Sequence, residues 1–123
     1  IYDDPNNLVD TFAENLNILQ GKKKEGTTWY ESPWFGTFYP GKSGWIYHLT
    51  LGWLYIHSSE NENGFWAWDP HYNSWWWSSR ADEIFPYFYL YNIAEGKYGW
   101  GMFENLDSST RVYEYFTQKW KIR

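Results

Sequence analysis

The stretch Gly44-Trp45-Ile46-Tyr47-His48-Leu49-Thr50-Leu51-Gly52-Trp53-Leu54-Tyr55-Ile56-His57 decides the fold. Large rings recur at every second residue, the period of a β-strand whose side chains point alternately to two faces. Leu49 to Gly52 interrupts the pattern, and Gly52 supplies the backbone freedom of a tight hairpin turn. A three-residue loop, Thr50-Leu51-Gly52, with Gly52 left-handed pairs Leu49 with Trp53 and Tyr47 with Tyr55. Directly opposite residues share a face. Trp45, Tyr47, Trp53 and Tyr55 therefore fall on one side, and Ile46, His48, Leu54 and Ile56 on the other.

The next stretch repeats the device. Phe65-Trp66-Ala67-Trp68-Asp69 and Trp75-Trp76-Trp77-Ser78 flank Pro70-His71-Tyr72-Asn73. A four-residue loop pairs Trp68 with Trp75 and Trp66 with Trp77, placing small Ala67 opposite bulky Trp76. A one-residue slip in either hairpin would scatter the rings over both faces, so the register is well specified. Tyr87-x-Tyr89 and Trp100-x-Met102 continue the motif more loosely. Repeats of this size mark a unit that buries its face only beside its neighbours.

Further strands read as Trp29–Glu31, Trp34–Tyr39, Pro86–Tyr91, Trp100–Glu104 and Arg111–Thr117. Turn-rich stretches such as Pro40-Gly41-Lys42-Ser43 separate them, and no connection is long enough for a crossover helix. The expected fold is mainly β: an antiparallel meander of eight or nine short strands over residues 28–123. Closure into a barrel would remove its edges. Before it, residues 1–21 read as a helix, capped by Asp3 or Asp4, with Pro5 in its first turn and Gly21 ending it. Leu8, Phe12, Leu16 and Leu19 share one helical face, whose partner is the domain's own sheet or another subunit. Residues 22–27 read as a polar linker.

Among 123 residues there are 11 Trp, 12 Tyr and 8 Phe, more rings than so small a domain can hide. Between Ser43 and Thr110 eight acids face two bases, and the net charge is −5. Nucleic-acid binders that stack bases on rings also need cations for the phosphates, so that class is excluded. Lys22-Lys23-Lys24 is too short a run for a lipid or phosphate patch. No stretch is apolar for the length of a membrane span. Cysteine is absent, which excludes disulfides and thiolate chemistry.

Ser32-Pro33-Trp34-Phe35-Gly36-Thr37-Phe38-Tyr39, with the Gly44–Tyr55 and Phe65–Tyr89 motifs, is similar to Trp/Tyr-rich repeat modules found near the C-termini of surface or secreted proteins of aquatic bacteria. The similarity covers Ser32 to Tyr91, and it implies an extracellular or cell-surface module with no assigned ligand. The chain begins at Ile1 rather than Met, so a processed or excised piece is expected.

Catalysis has no foothold in the residue inventory. His48, His57 and His71 lack metal-ligand spacing, and no nucleophile motif or cofactor-binding loop is present, so neither metal nor cofactor is expected. Asp69 with His71 could form a weak metal or acid–base pair, but an Asp-Pro turn is the simpler reading. The aromatic ladder reads first as the core, since alternation more often marks a buried face; a binding surface is the alternative. On the first reading, loop-proximal Trp76, Trp34 and Trp100, with Asp69 and His71, are the candidate ligand contacts. The expected function is a non-catalytic module that stacks exposed rings on a glycan or another surface protein. The alternative is a structural subunit that self-associates, as a homo-oligomer through the N-terminal helix.

Overall fold

The structure, a computed structural model, describes residues 14–59, 63–107 and 109–123. Its strands are β1 (Lys22–Lys23), β2 (Tyr30–Ser32), β3 (Gly36–Pro40), β4 (Trp45–His48), β5 (Gly52–Ser58), β6 (Gly64–Asp69), β7 (Ser74–Ser79), β8 (Tyr87–Asn92), β9 (Lys97–Asn105), β10 (Thr110–Glu114) and β11 (Lys119–Ile122). Each pairs antiparallel with the next, giving one 11-stranded sheet in chain order. The meander is as expected, with more strands than the sequence signals. It does not close: β1 and β11 lie at opposite ends of the sheet order.

The two additional strands lie at the ends of the sheet, and for β11 the turn signal is weak. The chain reverses after Glu114 with Gln118 at a φ of +58°, its amide donating to the Glu114 carbonyl at 2.7 Å. No Gly or Pro announces that turn, so Arg111–Thr117 looks continuous in sequence. At the other end, part of the stretch expected as linker forms β1, with Lys22 opposite Glu31 and Lys23 opposite Tyr30. The expected N-terminal helix lies largely outside the described residues. Its end, residues 14–19, is helical; Leu19 is buried and the Asn15 amide donates to the Gly44 carbonyl at 3.3 Å.

Instead of closing, the sheet folds over. The Thr110 hydroxyl donates to the Thr50 carbonyl at 2.8 Å, joining the β4–β5 turn to the start of β10. The Tyr72 hydroxyl donates to Glu114 at 2.7 Å, and the Phe35 and Phe85 rings lie 5.1 Å apart. Contacts between segments so distant in the sheet order require one concave face and one convex face.

The faces are assigned opposite to the first reading of the sequence. Ile46, Leu54, Ile56, Phe65, Ala67, Trp76, Phe88, Leu90, Phe103 and Val112 form the core, and the Trp-x-Tyr/Trp ladder points outward. Alternation defines two faces without saying which is inside; volume decides that. The inner face of a curled sheet is the smaller one, and interiors are filled to crystal-like density without overpacking. Aliphatic residues and phenylalanines fit there, whereas a tryptophan at every position would not. Trp76 is the exception, fully buried, and it faces Ala67 across the β6–β7 pair as expected. Phe65, Phe88 and Phe103 surround its indole at 5.4–5.8 Å between centroids.

In the first hairpin the ring faces are as expected but the register differs by two residues: Trp45 pairs with Tyr55, Tyr47 with Trp53 and His48 with Gly52. His48 is the cause. Its Nδ1 accepts the amides of Thr50 and Leu51 at 3.2 and 3.1 Å, so its side chain caps a Leu49–Leu51 loop. Gly52, at a φ of +82°, follows that loop rather than sitting within it. The second hairpin has the expected register, Trp66 opposite Trp77 and Trp68 opposite Trp75.

Candidate functional site

The convex face from β4 to β8 is a mosaic of rings. Cross-strand pairing sets Tyr55 beside Trp68, Trp68 beside Trp75, Trp75 beside Tyr91 and, on β9, Tyr91 beside Tyr98. A second row runs His57, Trp66, Trp77, Tyr89, Trp100. Neighbours meet edge to face: Trp45–Tyr55 at 5.6 Å, Trp68–Trp75 at 5.7 Å and Tyr89–Trp100 at 5.4 Å. Such pairs contribute about 0.5–1.5 kcal/mol each beyond burial. They also hold each ring in a fixed orientation, so the surface is organised before any partner arrives.

Between the two rows, His57, Trp66, Trp75 and Tyr91 line a shallow depression of about 310 Å3. Trp66 and Tyr91 set its wall angle, 6.1 Å between centroids and 72° between planes. Trp66 and Trp75 are half-buried, while Tyr91 is 52% exposed. The lining is apolar ring surface throughout, with no polar atom exposed in the depression itself. Apolar and aromatic lining makes up most of the usual small-ligand site, and this depression supplies that part of it.

No family model, curated protein or solved structure matches the chain. The functional reading therefore stands on the geometry.

The residues expected from sequence as ligand contacts are dispersed by the fold. Trp76 is core and touches no solvent. Trp34 packs on Phe35, Phe65 and Phe85, and its indole N–H donates to the Gln20 side chain at 3.1 Å, so it seals the core edge. Asp69 is fully buried and its carboxylate is engaged by the His71 amide, the Trp76 indole and Arg123. Asp69 and His71 thus form the turn that the sequence favours over a metal pair. Trp100 alone of the five is a ring on the convex face, 42% exposed. The four-residue depression was missed because it needs the register of β5 to β8 together. One signal was available: Ala67 opposite Trp76 and glycines at positions 99 and 101 mark the tighter inner face.

Two larger cavities of about 590 and 560 Å3 flank the β4–β5 turn. Their buried polar side chains, His48 and Arg123, are committed to structure. His48 donates from Nε2 to the Phe35 carbonyl at 2.6 Å while Nδ1 caps the turn, and Arg123 is engaged by Asp69 and the Leu51 carbonyl. Burial, with a smaller push from the Arg123 charge, depresses the His48 pKa to about 4 against the Phe35 bond. On the opposite side, Glu114 lies beside Tyr72, Lys121 and Thr117. Burial opposes its ionisation, but their hydrogen bonds and the Lys121 charge hold its pKa below the ordinary value. Burial and that carboxylate push the Tyr72 phenol well above its usual range. Both clusters are internally satisfied, the pattern of structural networks. Among the described residues no group of three or more His, Asp or Glu is placed to hold a metal ion, and no helix is long and apolar enough to cross a membrane.

Proposed function

We propose that this chain is a non-catalytic extracellular or cell-surface module that binds glycan through its convex aromatic face, centred on His57, Trp66, Trp75 and Tyr91. The observation that carries the reading is the outward placement of the Trp-x-Tyr/Trp ladder. A soluble domain rarely leaves an apolar patch of this extent without a partner, and here the rings are locked edge to face with no covering element among the described residues. Sugar rings present apolar C–H faces to aromatic side chains, while their hydroxyls accept and donate to Tyr, Trp and His groups. The reactive-looking residues, Asp69, His48 and Glu114, are occupied in structural bonds, which supports a binding role over catalysis.

Titrating soluble polysaccharides while following tryptophan fluorescence tests this. A responding glycan should lose binding by about 1–3 kcal/mol on Trp66→Ala or Tyr91→Ala, since truncating a contacting ring at the centre of an interface removes most of its contribution. Trp34→Ala should leave the affinity unchanged. No response across the panel, with discrete oligomers that vanish when residues 1–21 are deleted, would overturn the reading in favour of a self-associating structural subunit.

A further inference from the structure

Building on the glycan reading, we infer that the convex face takes a single uncharged polysaccharide chain spanning several sugar units. It excludes polyanionic polymers, crystalline glycan planes and a second copy of this chain.

The charge distribution argues first. No Asp, Glu, Lys or Arg occupies β4, β5 or β7, and none points outward from β6 or β8. On β9, Glu104 is paired with Arg111 of β10 at 2.6 Å, with Arg111 3.9 Å over the Trp120 ring, and Lys97, beside Tyr98, is paired with Glu95 at 3.8 Å. A uronate or sulfate would find no free cation on these strands and would approach a chain of net charge −5. An uncharged sugar instead meets ring surface without charge: the depression exposes apolar lining only.

Shape argues second. A stable interface between proteins buries about 800 Å2 per partner. The sheet curls around its core, so its outer face falls away on both sides of any line of contact. Two such convex faces, or one against a crystal plane, touch over a narrow strip. A single chain is thin enough to follow the curve.

The run of rings argues third. Tyr55, Trp68, Trp75, Tyr91 and Tyr98 are successive cross-strand partners from β5 to β9. At about 4.8 Å between strands the row extends about 19 Å, well beyond the depression at its middle. One sugar fills the depression, and the rest of the row offers further stacking positions to a longer chain.

Calorimetric titration with defined oligosaccharides of xylan, mannan and mixed-linkage glucan tests this, alongside alginate, carrageenan and microcrystalline cellulose. For the polymer that binds, the hexasaccharide should be at least tenfold tighter than the disaccharide. Tyr98→Ala, outside the depression, should weaken the hexasaccharide several-fold and leave the disaccharide unchanged. Alginate and carrageenan should bind at least tenfold more weakly than the neutral polymer, and cellulose should not deplete the protein. Equal affinity for disaccharide and hexasaccharide, preference for either polyanion, or capture by cellulose would overturn this inference while leaving glycan binding intact. Dimers abolished by Tyr91→Ala, or silence towards every glycan, would overturn both.

Discussion

Arg123 and Asp69 meet fork to fork inside the curl, Nη1 to Oδ2 at 2.6 Å and Nη2 to Oδ1 at 2.8 Å, with side chains 3% and 0% exposed. The same guanidinium donates twice to the Leu51 carbonyl, at 3.0 and 2.8 Å. It therefore ties the end of β11 to both the β4–β5 turn and the end of β6, which holds the sheet folded over. Removing one partner of a buried pair leaves the other charged and unsolvated, at a cost of about 3–5 kcal/mol. Arg123→Ala and Asp69→Ala should each lose that much in urea unfolding, and the double variant clearly less than the sum. A loss below about 1 kcal/mol would mean that water replaces the missing partner.

The two tryptophan classes should separate in the same experiment. Trp76→Ala empties a site walled by Phe65, Phe88 and Phe103 and should cost about 3–5 kcal/mol. Trp66→Ala and Trp75→Ala remove half-exposed rings whose edge-to-face pairing contributes about 0.5–1.5 kcal/mol each. If the outward variants unfold as readily as Trp76→Ala, the convex rings are part of the stabilising core.

These contrasts mark how far the sequence is legible. Trp66-x-Trp68 and Trp75-x-Trp77 reveal both hairpin and register, because a slip would scatter the rings. The Asp69-Pro70-His71 turn is equally readable, from local bonding alone. The inward face is not readable from alternation, since a period of two is symmetric between faces. Only the smaller volume inside the curl breaks that symmetry. Arg123 is 54 residues from Asp69, and nothing local announces the pair. The depression is hidden for the same reason, being assembled from four successive strands.

Gly101 offers a test of how tightly that inner face is filled. It pairs with Phe88 on β8 and Glu114 on β10, and a Cβ there would run into the Phe88 ring. Phe88 cannot move freely, because it stacks on Phe103 at 4.3 Å and 20° and packs on Trp76. Overpacking of this kind costs about 1–3 kcal/mol. Gly101→Ala should show that loss in thermal or urea unfolding. A neutral outcome would reveal slack in the core that the packing of Phe88, Phe103 and Trp76 does not suggest.

His48 should make stability depend on pH in mildly acidic solution. With Nδ1 accepting from Thr50 and Leu51 and Nε2 donating to the Phe35 carbonyl, the folded ring is neutral. Burial opposes the charge and, against the Phe35 bond, Arg123 repels it, so the folded pKa falls from 6.5 to about 4, and protonating Nδ1 would also break the cap. The unfolded chain therefore binds the proton more readily. The stabilising contribution is complete above pH 6.5, declines as pH falls from 6.5 to 4, and changes no further below that. At about 1.4 kcal/mol per pH unit, it amounts to about 3 kcal/mol in all, of which about 2 is lost by pH 5. Urea unfolding at pH 7.5 and 5.0 should show this loss in the wild type beyond that in His48→Gln, which lacks the titrating ring. Ring-nitrogen NMR should find His48 still neutral at pH 5.5. A His48 signal titrating near pH 6.5, or equal pH dependence in the two proteins, would show that the turn forms without a neutral imidazole beneath it.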